Sequence, residues 1–279
     1  MAITALPTNY NVPPQDIAQY TIMLAGEKKI GKTSFVAQFP EHLIIECEPR
    51  NAIHLKCRYI DIANWVDFVS ILKLLEQNKG YAKTVCIDDI PTLHTYCTDY
   101  ICKNLGITHP SEQAYGKGWG AVDTEWQRQL NRLHGLGCGI IYTGHTKTVE
   151  EETRAGRKFN RIETYGGAGC IRWLDAKIHL WAVMLFDGEG GRELVLSGDD
   201  YIKAANGLSE SNFINQFDQK PLRKIPLGNS AKEGYETFIK AFNNQLTITP
   251  KTHAHTGVKP TQQNLPVSVP KTSFLIKKN

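Results

Sequence analysis

Thr21-Ile-Met-Leu-Ala-Gly-Glu-Lys-Lys-Ile-Gly-Lys-Thr-Ser-Phe-Val-Ala-Gln-Phe39 is the stretch whose reading decides the fold. The apolar run Ile22 to Ala25 predicts a short buried strand, and Ser34 to Phe39 predicts a helix. Between them Gly26, Glu27, Lys28, Lys29, Ile30, Gly31, Lys32 and Thr33 complete the pattern G-x-x-x-x-G-K-S/T, with Ser34 directly after it. Strand, glycine-bearing loop and helix in that order form a phosphate-binding loop. Gly26 and Gly31 permit a backbone that turns successive N–H groups toward an anion. The helix that follows adds its positive N-terminal end. Lys32 is placed to bridge the β- and γ-phosphates and the Thr33 hydroxyl to hold Mg²⁺, so the expected ligands are ATP and Mg²⁺.

The chain has 279 residues, 41% of them hydrophobic and 22% charged, which is enough to bury a sizeable core. Its formal net charge of +4 permits contact with nucleic acid without demanding it. No apolar run is long enough to span a bilayer, and no basic stretch leading into an apolar one stands at the N-terminus, so a cytoplasmic location is expected. The seven cysteines contain no C-x-x-C pair and read as free core thiols.

Downstream, His42 to Glu48 reads as a second buried strand ending in carboxylates, and Arg58 to Asp61 as a short third. Trp65 to Gln77 has Val66, Val69, Leu72 and Leu75 at helical spacing. Lys83-Thr-Val-Cys-Ile-Asp-Asp89 then leads an apolar run into paired aspartates, with Asp88 as the expected Mg²⁺ ligand and Asp89 beside it or positioning water. Helices are expected over 91–105 and 122–136, with a polar segment between them. Gly139 to Thr143 reads as another strand, ending at Gly144-His145. A long charged segment follows, from Thr148 to about Gly169. Lys177 to Phe186 and Glu193 to Leu196 read as a hairpin, and Glu233 to Asn244 as a last helix. The alternation predicts an α/β fold, a mostly parallel sheet flanked by helices. The expected organisation is an extended lead-in over residues 1–19, one ATPase domain over 20–245, and a polar disordered tail over 246–279.

The phosphate loop, the Ile44-Ile-Glu-Cys-Glu48 strand, the Val85-Cys-Ile-Asp88 strand and the Tyr142-Thr-Gly-His145 strand end stand in RecA-like order, and His109-Pro-Ser-Glu-Gln-Ala-Tyr-Gly-Lys-Gly-Trp119 is more specific. Over residues 22–186 the chain resembles phage-encoded RecA-like P-loop ATPases of the AAA_24 type, some of which anneal single strands in recombination. The resemblance implies a RecA-like P-loop NTPase core. It implies that Glu48 activates water, with Glu46 as partner or substitute, and that His145 senses the γ-phosphate; a solvated strand end and an ordinary hydrogen-bonded histidine are the other readings. It makes Lys32, Glu48 and His145 the catalytic candidates. It also aligns two polar segments with DNA-contacting loops: Tyr115, Lys117 and Trp119 in the first, and Lys147, Arg154, Arg157, Lys158 and Arg161 in the second. Mobile cations can follow a phosphate backbone and aromatic faces can stack bases, whereas Glu150, Glu151 and Glu152 dilute the charge and leave a solvated loop as the alternative.

The expected partners are single-stranded DNA and further copies of the chain. Single-strand binding or other replication proteins could dock on the tail around Phe274-Leu-Ile276. Arg172 and Lys177 are the candidates for a cation donated to a neighbouring subunit. An ATPase with a protein client, such as a helicase loader or packaging accessory, and a nucleotide-gated binding module without turnover are the competing functions.

Overall fold

The computed structural model describes residues 6, 8–154 and 156–249. The elements run β1 (Thr21–Gly26), α1 (Lys32–Val36), β2 (His42–Glu46), β3 (Tyr59–Asp61), α2 (Trp65–Gln77), β4 (Thr84–Asp88), α3 (Ile90–Leu105), α4 (Lys117–His134), β5 (Gly139–Glu152), β6 (Lys158–Thr164), α5 (Ala168–Asp175), β7 (Leu180–Phe186), β8 (Arg192–Val195), β9 (Ala205–Asn206), β10 (Lys224–Gly228) and α6 (Ala231–Phe242). The sheet has the order β10-β8-β7-β1-β5-β4-β2-β3, with β6 paired to the outer half of β5 and β9 to β7. From β7 to β3 every neighbouring pair is parallel; β8 and β10 add an antiparallel edge.

β1 is buried at every position, because the sheet packs helices on both faces. Its side chains alternate between two cores. Met23 and Ala25 face α2, α3 and α4, among Trp65, Phe68, Leu93 and Trp126. Ile22 and Leu24 face α1 and α6, among Phe35, Phe39, Phe213 and Phe238. The strand holding Asp88 is separated from β1 by β5, so the ends of β1, β5, β4 and β2 open on one side of the sheet. Ligands of open parallel sheets bind at those carboxyl ends.

Several sequence expectations change. The helix after the phosphate loop runs Lys32–Val36, five residues rather than Ser34 to Phe39. A helix that short does not persist alone; aromatic contacts with α6 hold it, Phe35–Phe238 at 5.5 Å and Phe39–Tyr235 at 4.9 Å between ring centroids. In α2 the buried stripe is Trp65, Phe68, Ile71, Leu72 and Leu75, and Val66 is exposed. α4 begins at Lys117, inside the expected polar segment.

The largest change lies at 148–169. It is a β-hairpin followed by the start of α5, because β5 continues past the core and pairs with β6 from Thr146↔Thr164 to Glu152↔Lys158. Cross-strand charges that an isolated reading counts separately neutralise one another there: Lys158 with Glu150 at 2.9 Å and Arg161 with Glu151 at 3.3 Å. At the amino end, Asp16 caps a 3-10 turn at Ile17–Gln19 that buries Ile17 and Ala18. At the other end the compact unit runs to Ile248, where Asn215 donates to the Ile248 carbonyl and accepts from its N–H, both at 2.9 Å. The expected tail and its Phe274–Ile276 cluster lie outside the described residues, apart from 246–249. No helix of the described residues is long and apolar enough to cross a membrane.

Candidate nucleotide site

Gly31 has φ +104°, a conformation open to glycine, and a Cβ there would fall 2.4 Å from the Arg192 guanidinium. Gly26 ends β1 against β7, where a Cβ would stand 2.9 Å from the Met184 carbonyl. These two positions explain why the loop needs glycine at both ends. Lys28, Lys29, Gly31, Lys32, Thr33 and Ser34 border a cavity of about 660 Å³. Glu27 is exposed beside it, and Ile30 turns inward to the core.

Lys32 is buried. Its ammonium donates to the Gly26 carbonyl at 3.0 Å and the Glu27 carbonyl at 2.8 Å, and stands 3.5 Å from His145 Nδ1. Burial pulls its pKa down, while Asp88, Asp89 and Glu48 push it back up. Thr33 donates its hydroxyl to Asp88 Oδ2 at 2.5 Å, and Thr143 donates to the other carboxylate oxygen, Oδ1. A hydroxyl and an ionisable carboxylate in contact at the mouth of a phosphate loop are hard oxygen donors, and they fit Mg²⁺.

Beside Lys32 in the same cavity Glu48, Asp89 and His145 gather, with one ligand-type atom of each within 4.8 Å of the others. His145 Nε2 lies 3.1 Å from Asp89 Oδ2. A carboxylate at Nε2 and an ammonium at Nδ1 together select the tautomer with its proton on Nε2. Asp89 also caps α3 by accepting from the Thr92 N–H at 3.0 Å. Burial would raise the Asp89 pKa, but the hydrogen bonds from His145 and Thr92 outweigh it and hold the carboxyl below its usual range.

β2 stops at Glu46, so Glu48 sits in the loop beyond the strand rather than closing it. That loop is pinned at its first residue. The Cys47 N–H donates to the Asp88 carbonyl at 2.7 Å, and Tyr96 Oη donates to the Cys47 carbonyl at 2.8 Å. Glu48 is exposed and borders the cavity. Glu46 differs: it is fully buried, in register with Asp88, and neither oxygen is in a well-formed hydrogen bond, the Asn51 side chain being its nearest donor. Burial, with Asp88 and Asp61 adding repulsion, pushes its pKa up to about 8. Glu46 is buried and does not border the cavity, whereas Glu48 does.

Thus the structure brings the phosphate loop, Asp88, Glu48 and His145 together. Sequence reasoning missed Thr143 and Tyr96, whose hydroxyls aim Asp88 and the Glu48 loop, and it missed Arg50, Asn51 and His54, which border the same cavity. A hydroxyl on a central strand carries no signal of its own. Arg50 to His54 follow Glu48 so closely that the chain length to β3 could have indicated a loop over the site.

The expected DNA residues stand elsewhere. Tyr115 is 98% exposed, and Lys117 and Trp119 open α4. Lys147, Arg154, Arg157, Lys158 and Arg161 lie on the β5–β6 hairpin and the turn joining its strands. Trp119 borders a second cavity, of about 470 Å³, shared with Gly167–Gly169 and Arg172, so the two polar segments meet there. Arg172 borders that cavity and not the nucleotide cavity, and Lys177 borders neither.

The family known as AAA_24, an AAA domain, matches residues 18–175. This chain belongs to that family. The match runs from just before β1 to the end of α5, and with the strand order it makes the core a RecA-like P-loop ATPase fold with a nucleotide site. The SPbeta prophage-derived uncharacterized protein YorG of Bacillus subtilis (strain 168) is 25% identical over 150 residues, 52% of this chain and 46% of that protein. The chain therefore spans about half the length of this curated relative. A KaiC-like protein from Pyrococcus horikoshii OT3 superposes with a TM-score of 0.41 at 14% identity, covering 76% of this chain and 88% of that one.

Proposed function

We propose that this AAA_24 member hydrolyses ATP with Mg²⁺ and uses its nucleotide state to act on single-stranded DNA in phage recombination or replication, as a strand-annealing or exchange accessory. The observation that carries the hydrolysis is the convergence of Glu48, Asp89 and His145 on the cavity that Lys32 and Thr33 border. In this reading Lys32 and the loop amides bind the phosphates, and Thr33 and Asp88 hold the metal. Bound Mg²⁺ would neutralise charge on the β- and γ-phosphate oxygens. Glu48, exposed on a pinned loop, draws the proton from the attacking water. His145 lies between Lys32 and Asp89 and reports on the phosphate site.

The DNA part rests on continuity. His145 belongs to β5, and the same strand continues outward as the hairpin from Thr146 to Glu152. A shift at the phosphate site thus has a rigid lever to the hairpin. The cavity that Trp119 and Arg172 both border offers a stacking face and a cation to a base and its phosphate, with Asp123 in the same lining setting a charge against them. The prophage origin of the Bacillus relative supports a phage setting.

One observation favours a second reading, a protein client. Lys158 and Arg161 are already paired with glutamates, and Arg157 donates to Tyr201 at 2.9 Å. Lys147 and Arg154 are the exposed hairpin cations with neither an ion-pair partner nor a side-chain hydrogen bond among the described residues. The test is ATP turnover with and without single-stranded DNA, in the native chain and in a Lys147→Ala, Arg154→Ala variant. Stimulation that the variant weakens, with a shallower salt dependence, supports the DNA reading. Turnover indifferent to DNA in both proteins moves the function to a protein client.

A further inference from the structure

Residues 176–248 fall beyond the family match, yet one of them touches the phosphate loop itself. Arg192, the first residue of β8, donates Nη1 to the Ile30 carbonyl at 3.1 Å and Nη2 to the Asn229 carbonyl. The loop makes room for it. The Cβ that Gly31 lacks is what would collide with Nη1. Ile30 is therefore held from two directions: its side chain is buried in the core, and its carbonyl is fixed on a cation.

The far end of this bridge is built as well. Asn229 directly precedes Ser230, which caps α6 by accepting from the Glu233 N–H at 3.1 Å. Glu233 reaches back to accept from the Asn229 N–H at 3.3 Å. α6 in turn packs Tyr235 and Phe238 on Phe35 and Phe39, the residues that follow the loop. The segment beyond the family match thus grips the loop from behind and the helix from its side.

We propose that Arg192 is a positioning residue for nucleotide binding. By holding the Ile30 carbonyl on the rear of the loop, it keeps the adjoining backbone N–H groups turned toward the phosphates and places a positive charge behind them. The planar guanidinium is the group that can bridge two carbonyls in divergent directions; an ammonium is a point charge with no such fixed fork. This inference rests on the nucleotide-binding half of the proposed function and is independent of turnover and of DNA.

The test is equilibrium binding of a fluorescent ATP analogue and of ADP, with Mg²⁺, to the full chain and to Arg192→Ala, Arg192→Lys and Arg223→Ala. Arg223 is exposed, pairs with the Gly198 carbonyl and Asp199, and removes the same charge far from the loop. Arg192→Ala is expected to raise both dissociation constants about tenfold, the loss of roughly one charged hydrogen bond. Arg192→Lys should recover less than half of that, and Arg223→Ala should stay within about twofold of native. Turnover at saturating ATP should change far less than affinity, a split that a general loss of structure does not give. Native-like affinity in Arg192→Ala, full rescue by lysine, or an equal loss in Arg223→Ala overturns the proposal. If Arg192→Ala fails to fold, the comparison of Arg192→Lys with native decides alone. A native chain that binds nucleotide without turnover would defeat the proposed hydrolysis and leave this inference standing.

Discussion

Asp88 shows how one carboxylate is aimed by its neighbours. Its two oxygens accept from Thr33 and Thr143, so its lone pairs are turned to the mouth of the phosphate loop. Replacing Thr143 by Val keeps the shape, removes one donor and leaves Oδ1 of a buried carboxylate unpaired. The Mg²⁺ concentration for half-maximal turnover is expected to rise about tenfold, as for other groups that orient a metal ligand; a metal titration checks it, and an unchanged midpoint removes Thr143 from the site. A second residue, His134, sets an acid limit. It is half-buried against Tyr142 and Trp173, with Nε2 and Tyr142 Oη 2.9 Å apart. Burial first, then Lys177 and His179, push its pKa from 6.5 down to about 4. Between those values the unfolded chain binds the extra proton and the folded chain does not, so stability falls as pH drops from about 6.5 to about 4. The loss at that histidine is about 1–2 kcal/mol after allowance for its partial exposure. His134→Gln should flatten that part of a thermal-denaturation profile, and an unaltered slope would place the acid sensitivity elsewhere.

At the scale of elements, α1 is the weak member. Five residues of helix follow the loop, and the aromatic face of α6 supplies the packing that the helix cannot supply itself. Phe238→Ala opens a cavity in that face at a cost of about 3–5 kcal/mol. The melting temperature should drop about 2–4 °C for each of those kcal/mol, and nucleotide affinity should fall with it. Loss of stability with native affinity would show that α6 supports the fold but not the loop. Elements with strong periodicity or a glycine-lysine signature were legible from sequence: β1, the phosphate loop, the start of β2, the end of β4, α3, and the β7–β8 hairpin. The β5–β6 hairpin was not. Its outer half is polar on both faces, so alternation of apolar residues is absent, and its pairing is carried by backbone bonds and by charges opposite one another. The early start of α4 was hidden by Gly116, Gly118 and Gly120, which read as loop residues although α4 runs through two of them. In the site, the ligands stood at strand ends that composition marks, whereas Thr143 and Arg192 act through distances of 55 and 162 residues along the chain.

Across the whole molecule, the parallel strands bring residues far apart in sequence together at one side of the sheet. Gly26 and His145 are register partners, as are Glu46 and Asp88. Neither pairing is a neighbour in sequence. The segment after residue 175 completes the arrangement, because β7 covers the other flank of β1 and β8 carries Arg192 to the loop. Steady-state release of phosphate from ATP in the presence of Mg²⁺ is the most direct measurement, made on the native chain, Lys32→Ala and Glu48→Gln. Native turnover that Lys32→Ala abolishes together with binding, and that Glu48→Gln lowers at least about a hundredfold while binding persists, is expected. Turnover that survives Glu48→Gln, or a native chain that binds ATP tightly and releases no phosphate, would contradict the assignment of this site as an ATPase centre.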